Sequence, residues 1–165
     1  MVTNMAPPKT GTLFKWGGTS GSGTSQSWMQ FDGSPSATVA PGDWFQMGKL
    51  TYYNGTINSG TGADNVKLKF ALNITLPTIT TTNAEFTLSL VNTPNTSDAN
   101  ASADYVYIPA LSVPFTSTVG GKNFKLDVRF GETTANGFSS LSQFHVLEEK
   151  SATGIMYGCM TEIVP

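Results

Sequence analysis

The chain has 165 residues, of which 12% are charged, and its formal net charge is -2 at pH 7. This length is typical of one domain and is sufficient to bury a large core without a disulfide or a structural metal. Nucleic acid is not an expected partner, because no cluster of lysine and arginine is present to neutralise phosphates. The single cysteine rules out an intrachain disulfide, and without a long apolar run no membrane insertion is expected.

Residues 1–11 are predicted to form an extended arm, and residues 12–165 a single β domain. Pro7 and Pro8 prevent a helix in the arm, and Val2 and Met5 are its only other sizeable apolar residues. An arm with so little to bury needs a partner to order it. We therefore expect the arm to contact another copy of the chain or a shell protein. The first eight residues also lack the charged and apolar regions of a secretory signal peptide.

Two short strands are predicted at the start of the domain, at residues 13–17 and 28–31. Both contain aromatic residues, which favour strands because they fit a pleated, half-buried surface. We assign Trp16 and Trp28 to the core, since aromatic side chains in β-sandwiches usually fill it.

The stretch at residues 44–57, which organises the domain, is predicted to form a long strand, a kink and a turn. Gly48 within it indicates a bulge or a close approach of two backbones. Asn54 and Gly55 predict a turn, because both residues tolerate positive φ. This strand is expected to pair with the next one, at residues 66–74.

Three runs alternate apolar and polar residues, which indicates strands with one buried face. These runs are residues 66–74, 86–90 and 124–130. Further short strands are predicted at residues 105–108, 113–118, 144–146 and 155–163. No window shows a helical period, and about ten short strands separated by turns predict a single antiparallel, all-β sandwich that is jelly-roll-like.

Several motifs carry a family resemblance that covers the chain from residue 12 to its end. They are Phe14-Lys15-Trp16-Gly17, Leu50-Thr51-Tyr52-Tyr53-Asn54-Gly55-Thr56-Ile57 with Phe45 and Gly48, Asn92-Thr93-Pro94-Asn95, Ala103-Asp104-Tyr105-Val106, and Phe144 with Glu148. In these motifs the chain resembles the choice-of-anchor K domain of bacterial surface and secreted proteins. The resemblance implies an all-β domain that has no established catalytic chemistry and is attached to cells by a C-terminal anchor. We expect a departure from this pattern, since no anchor is recognised up to Pro165.

Two pairs of residues have the chemistry of catalytic groups. His145 and Cys159 lie on successive predicted strands and would serve as base and nucleophile if they met, but a lone cysteine is more often a small core residue. Glu148 and Glu149 would serve glycoside hydrolysis only if both faced one substrate. Neighbours on a strand point to opposite faces, so this is not expected. We therefore expect that the protein is not an enzyme.

An oxygen-rich loop at residues 92–103 leads into Asp104. Its side chains make Asn95, Asp98 and Asp104 candidate ligands for calcium, which takes about six to eight oxygen ligands. The alternative is that Asn and Asp side chains build turns by bonding their own backbone. Calcium is the only cofactor for which the sequence offers candidate ligands.

Tyr53 and Asn54 are candidate glycan-binding residues. An aromatic ring offers an apolar body and a polar tip, and Tyr53 is expected to lie beside an exposed turn at Asn54. The alternative is that the aromatic residues of this sandwich fill its core.

These features favour a non-catalytic structural or binding protein that is extracellular or displayed on a cell surface. The first alternative is a virion component, such as a phage capsid decoration protein, which fits the arm and the missing signal peptide. The second alternative is a glycan-binding adhesion module. The expected partners are the chain itself or a shell or surface protein, and in the second alternative a glycan.

Overall fold

A computed structural model gives the fold of residues 2–4, 13–35, 38–74, 80–108, 112–119 and 122–164. These residues form twelve strands and no helix, so no membrane-spanning helix occurs in this part of the chain. The strands are β1 Val2–Asn4, β2 Leu13–Trp16, β3 Ser27–Gly33, β4 Trp44–Asn54, β5 Asn65–Ile74, β6 Thr80–Val91, β7 Asp104–Tyr107, β8 Ser112–Val119, β9 Lys122–Thr133, β10 Gly137–Ser139, β11 Gln143–Val146 and β12 Lys150–Ile163.

The strands form two antiparallel sheets that pack face to face. The first sheet has the order β1-β5-β6-β7-β11-β10, and the second has the order β2-β3-β4-β12-β9-β8. Hydrophobic residues from both sheets meet in one core between them. The all-β sandwich predicted from the sequence is therefore confirmed.

The chain builds each sheet from a three-strand meander and adds later strands to it. The meanders are β2-β3-β4 in the second sheet and β5-β6-β7 in the first. The strands β8 and β9 then extend the second sheet, β10 and β11 extend the first, and β12 inserts between β4 and β9. The twelve described strands exceed the eight of a jelly roll, and strands distant in sequence lie side by side in both sheets.

The core follows the period of two that the sequence predicts. Side chains alternate between the core and the outer face along each strand, because successive Cβ atoms point to opposite sides of a sheet. In β6 and β9 the buried residues are Leu88, Leu90, Phe124, Leu126, Val128 and Phe130. Val66 and Leu68 of β5 pack against this core, while the side chains of Phe70, Leu72, Ile74 and Phe86 lie outside the described set.

The irregularity predicted at Gly48 is present. Met156 pairs with Gly48 and Tyr157 pairs with Gln46, so Met47 is an extra residue on β4 and forms a bulge. A Cβ atom on Gly48 would lie 2.5 Å from the carbonyl oxygen of Asp32. Both parts of the prediction, a bulge and a close backbone approach, are therefore confirmed.

Two predictions about the end of β4 are wrong. β4 pairs with β3 and β12, and β5 lies in the other sheet, because the chain passes from the second sheet to the first after Asn54. Asn54 and Gly55 also do not form a turn with positive φ. Gly55 is buried instead, and a Cβ atom there would lie 2.8 Å from the carbonyl carbon of Gln26, so glycine is required by close packing.

The assignment of both tryptophans to the core holds only for Trp16, which is 7% exposed. Trp28 lies on the outer face of β3, since Met29 and Phe31 take the inward positions of this strand. There the Trp28 ring stacks on Tyr53, with ring centroids 6.0 Å apart.

Replacing Phe130 tests whether the space between the sheets is the stabilising core. Phe130 is 2% exposed, so we expect Phe130→Ala to lower the free energy of unfolding by about 3–5 kcal/mol. Phe138→Ala is the matched control, because Phe138 is 50% exposed and its loss should cost less than about 1 kcal/mol. Urea unfolding measures both values, and equal losses would contradict this assignment of the core.

Candidate functional site

Two motifs of the family resemblance meet at one end of the sandwich. The segment that follows β4 and the loop that follows β6 face each other across a cleft of about 390 Å³. The cleft is lined by Gly55, Ile57, Asn58, Ser59, Gly60, Gly62, Asn92, Thr93, Pro94, Asn95 and Asp104. This convergence makes the cleft a candidate site.

Two polar side chains in the wall of the cleft, Asn92 and Asp104, already have protein partners. Asn92 accepts a hydrogen bond from Trp16 Nε1 at 3.4 Å and donates one to the Ala63 carbonyl at 2.9 Å. Asp104 accepts from the Thr93 amide at 2.7 Å and from the Tyr52 hydroxyl at 3.0 Å. These side chains hold the loops in place, and their hydrogen bonds point into the protein.

The contact between Asp104 and Tyr52 is buried, and burial changes both groups. It raises the pKa of Asp104, although the hydrogen bonds from Thr93 and Tyr52 oppose the change. Burial and the nearby Asp104 charge raise the pKa of Tyr52 well above its ordinary value. A phenol that stays protonated is suited to donate to this carboxylate, so the pair is a structural link between the sheets.

The three candidate calcium ligands have different surroundings. Asn95 lines the cleft and is exposed, and Asp104 is buried. Asp98 Oδ1 accepts hydrogen bonds from the backbone amides of Asn100 and Ala101, at 2.8 and 3.3 Å. For Asp98 the alternative role, in building a turn, is thus confirmed. Within the described residues, no group of three or more His, Cys, Asp or Glu side chains forms a metal site, and calcium binding stays a prediction.

The two candidate glycan-binding residues point in opposite directions. Tyr53 lies on the outer face of the second sheet, and its hydroxyl donates to Glu149 Oε2 at 2.7 Å. Asn54 is 1% exposed and donates to the backbone carbonyls of Ser102 and Val146, at 3.2 and 3.1 Å. The expected exposed turn at Asn54 is therefore wrong, because the strand alternation turns this side chain inward.

The prediction that Glu148 and Glu149 lie on opposite faces of a strand is wrong. They form a turn before β12, in which Glu149 has a φ of 53°. Both carboxylates reach Thr56: Glu148 accepts from its hydroxyl at 2.7 Å, and Glu149 accepts from its amide at 2.8 Å. Glu149 also accepts from Ser25 Oγ at 2.9 Å. The pair fastens the end of β4 to the turn before β12.

The pKa values of the two neighbouring carboxyls shift in opposite directions. Burial raises the pKa of Glu148, and the charges of Asp104 and Glu149 add to this effect. Burial would also raise the pKa of Glu149, but hydrogen bonds from Thr56, Tyr53 and Ser25 outweigh it and lower this pKa to about 2. Burial thus disfavours the charged form of Glu148, whereas hydrogen bonds favour the charged form of Glu149.

His145 and Cys159 do not meet, so they do not form a base and nucleophile pair. His145 lies on the outer face of β11 in the first sheet. Cys159 is buried in β12 of the second sheet, where its sulfur lies 3.8 Å from Thr161 Oγ1. The core separates the two sheets, and Cys159 is a buried residue as the alternative predicted.

A group of rings that was not predicted from the sequence lies on the outer face of the first sheet. We call Tyr105, Tyr107, His145 and Phe138 the aromatic row. In the sheet register Tyr105 pairs with His145, which pairs with Phe138. The signal for it was Tyr105-Val106-Tyr107-Ile108, a strand with bulky residues on both faces, where a half-solvated strand would place polar residues outward.

A second group of rings lies on the outer face of the second sheet. The Arg129 guanidinium stacks 4.1 Å from the Trp44 ring centroid and 5.8 Å from that of Tyr157. The Tyr157 hydroxyl donates to Glu132 Oε2 at 3.0 Å. Together with the stack of Trp28 on Tyr53, this gives the second sheet an aromatic outer face as well.

Comparison with protein-family models and with curated proteins found no match to this chain. The resemblance to the choice-of-anchor K domain therefore stays a prediction.

Glu148→Gln tests the burial of a neutral carboxyl. The pKa of Glu148 is raised in the folded state. Its contribution to the free energy of unfolding is therefore most favourable below the ordinary pKa and is lost as pH rises through the raised value. Glutamine has no such loss, so the variant should gain stability relative to the wild type between pH 4 and pH 8. Urea unfolding across this range measures the difference, and a constant difference would contradict the prediction.

Glu149→Gln should behave in the opposite way. A lowered folded-state pKa gives stability that is present above the ordinary pKa and is lost as pH falls towards the lowered value of about 2. The variant keeps the size of the side chain and the positive φ, so only the charge is removed. It should be less stable than the wild type at pH 7, and the two should converge near pH 2. An unchanged gap at pH 2 would show that charge is not the cause.

Proposed function

We propose that this chain is a non-catalytic structural or binding β-sandwich protein, displayed on an outer surface or in an extracellular assembly. The observation that carries the proposal is that both sheets present clusters of aromatic side chains on their outer faces. The solvated face of an antiparallel sheet is normally polar. Clusters of exposed aromatic residues are typical of surfaces that bind a partner.

The low charge and the tied loops support the same proposal. Hydrogen bonds to the carboxylates of Glu149 and Asp104, and one from the Asn92 amide, hold the segments at one end of the sandwich. A surface on such a rigid frame loses little conformational freedom when it binds a partner.

Localisation tests the proposal directly. Immunogold electron microscopy on the source organism and on virus particles from it, with an antibody against the purified chain, should label a cell surface, an extracellular filament or a capsid. Label confined to the cell interior would contradict the proposal, whatever the chain binds.

An assembly or virion role is the second candidate, and the N-terminal strand favours it. Val2 pairs with Leu72 and Asn4 with Phe70, so β1 forms the edge of the first sheet. Met5, Pro7 and Pro8, the other apolar residues named for the predicted arm, lie outside the described residues. An edge position accepts an equivalent strand from a neighbouring copy as readily as one from its own chain. The arm would then link subunits by exchange of β1.

Deletion of residues 1–10 tests this role for the arm. The core between the sheets remains, so the melting temperature should fall by less than about 2 °C. Assembly into particles, followed by light scattering or by binding to a capsid shell, should be lost. The control is Val2→Thr, which keeps the backbone pairing of β1. A truncated chain that assembles as the full chain does would contradict the prediction.

A further inference from the structure

We propose that the aromatic row on the first sheet binds a neutral, hydroxyl-rich glycan. This inference rests on the proposed function as a binding protein and names the site and the class of ligand. It replaces Asn54 as part of the glycan site, because that side chain is buried.

The row is a continuous surface of rings across three strands. Tyr105 and Tyr107 stack along β7 with centroids 6.0 Å apart and planes at 11°. His145 lies 4.9 Å from Tyr105 on one side and 4.9 Å from Phe138 on the other. Phe138 is 50% exposed, and the three others are half-buried. Such a surface is suited to stack on the apolar C–H face of a pyranose ring.

Polar atoms at the edges of these rings are available to a ligand. Among the described residues, no protein group hydrogen-bonds to the hydroxyls of Tyr105 and Tyr107 or to Nε2 of His145, whose Nδ1 lies 3.1 Å from Gln143 Nε2. An apolar partner would bury these three atoms without partners, which is unfavourable. A glycan presents hydroxyl groups that both donate and accept, so it satisfies the rings and the polar atoms together.

The outward residues that flank the row on β6 and β11 are uncharged. The outward positions of β6 beside it are Thr87, Ser89 and Val91, and β11 adds Gln143. Burial lowers the pKa of His145, so its imidazole is neutral at neutral pH. An anionic partner would require a cation here, and a neutral ligand does not.

The aromatic groups of the second sheet are less suited to this role. The Tyr53 hydroxyl is bonded to Glu149 and that of Tyr157 to Glu132. The Arg129 guanidinium covers the Trp44 ring at 4.1 Å. The hydroxyls of Tyr53 and Tyr157 and the Trp44 ring thus already have protein partners, which directs the inference to the first sheet.

Retention of the full chain on polysaccharides tests the proposal. Pull-down and affinity electrophoresis would use the neutral polymers cellulose, chitin, mannan and starch, with alginate as the anionic comparison. We expect retention on at least one neutral polymer and weaker retention on alginate. The double variant Tyr105→Ala with Phe138→Ala should bind at least about tenfold more weakly, because two stacking rings are lost.

Conservative variants separate binding from folding. Tyr105→Phe with Tyr107→Phe keeps the rings and removes only the hydroxyls, so it should fold normally and bind about threefold more weakly or worse. Trp28→Ala, on the second sheet, is the matched control and should bind as the wild type does. If the alanine variant fails to fold, the phenylalanine variant carries the test.

Four outcomes would overturn the inference. These are no retention on any of the neutral polymers, stronger retention on alginate, unchanged binding by the row variants, or a loss of self-association in the row variants that identifies the row as an interface between copies. A fifth outcome, that Trp28→Ala alone abolishes retention, would also overturn the inference and place the glycan site on the second sheet. Surface localisation is measured independently, so its failure is distinct from a failure here.

Discussion

The pairing of β12 with both β4 and β9 is the interaction on which the rest of the structure depends. β12, Lys150–Ile163, hydrogen-bonds to β4 on one side and to β9 on the other along most of its length. Without it the second sheet would separate into β2-β3-β4 and β8-β9, and the core would lose one wall. Because β12 lies at the end of the sequence and β4 near its start, the sheet closes only after long-range contacts form, which is typical of slowly folding β-sandwiches.

A buried polar network at one end of the sandwich links the two sheets and the loops between them. Asn54 binds the backbone of Ser102 and Val146, and Tyr52 binds Asp104. Buried hydrogen bonds of this kind favour one arrangement, because a shift of either sheet would leave the bonded groups unpaired. The motifs Asn54-Gly55-Thr56 and Asn92-Thr93 therefore have a structural explanation. A family that shares these motifs would be expected to share this buried polar network rather than a ligand.

The hydrogen-bonded loops and the outer faces of the sheets have different roles, and this difference gives the candidate function its physical basis. Asn54, Asn92 and Asp104, at one end of the sandwich, form hydrogen bonds within the fold. The rings on the outer faces contribute little to the core. Trp28 and Phe138 are examples, one on each sheet, since both stand on the solvent side of their strands. Side chains on strands are held by the sheet beneath them, so a partner meets a surface that is already arranged for binding.

The sequence by itself determined the class of fold and the irregularity at Gly48. Alternation in residues 66–74 and 124–130 is a local property of a strand, and it identifies the buried face wherever that strand lies. Which strands are neighbours was decided only by the tertiary structure: β4 pairs with β12 rather than β5, and Glu148 and Glu149 meet at Thr56 because they lie in a turn. Tyr105, His145 and Phe138 form one row for the same reason. Strand pairing depends on contacts between distant residues, which local pattern does not specify.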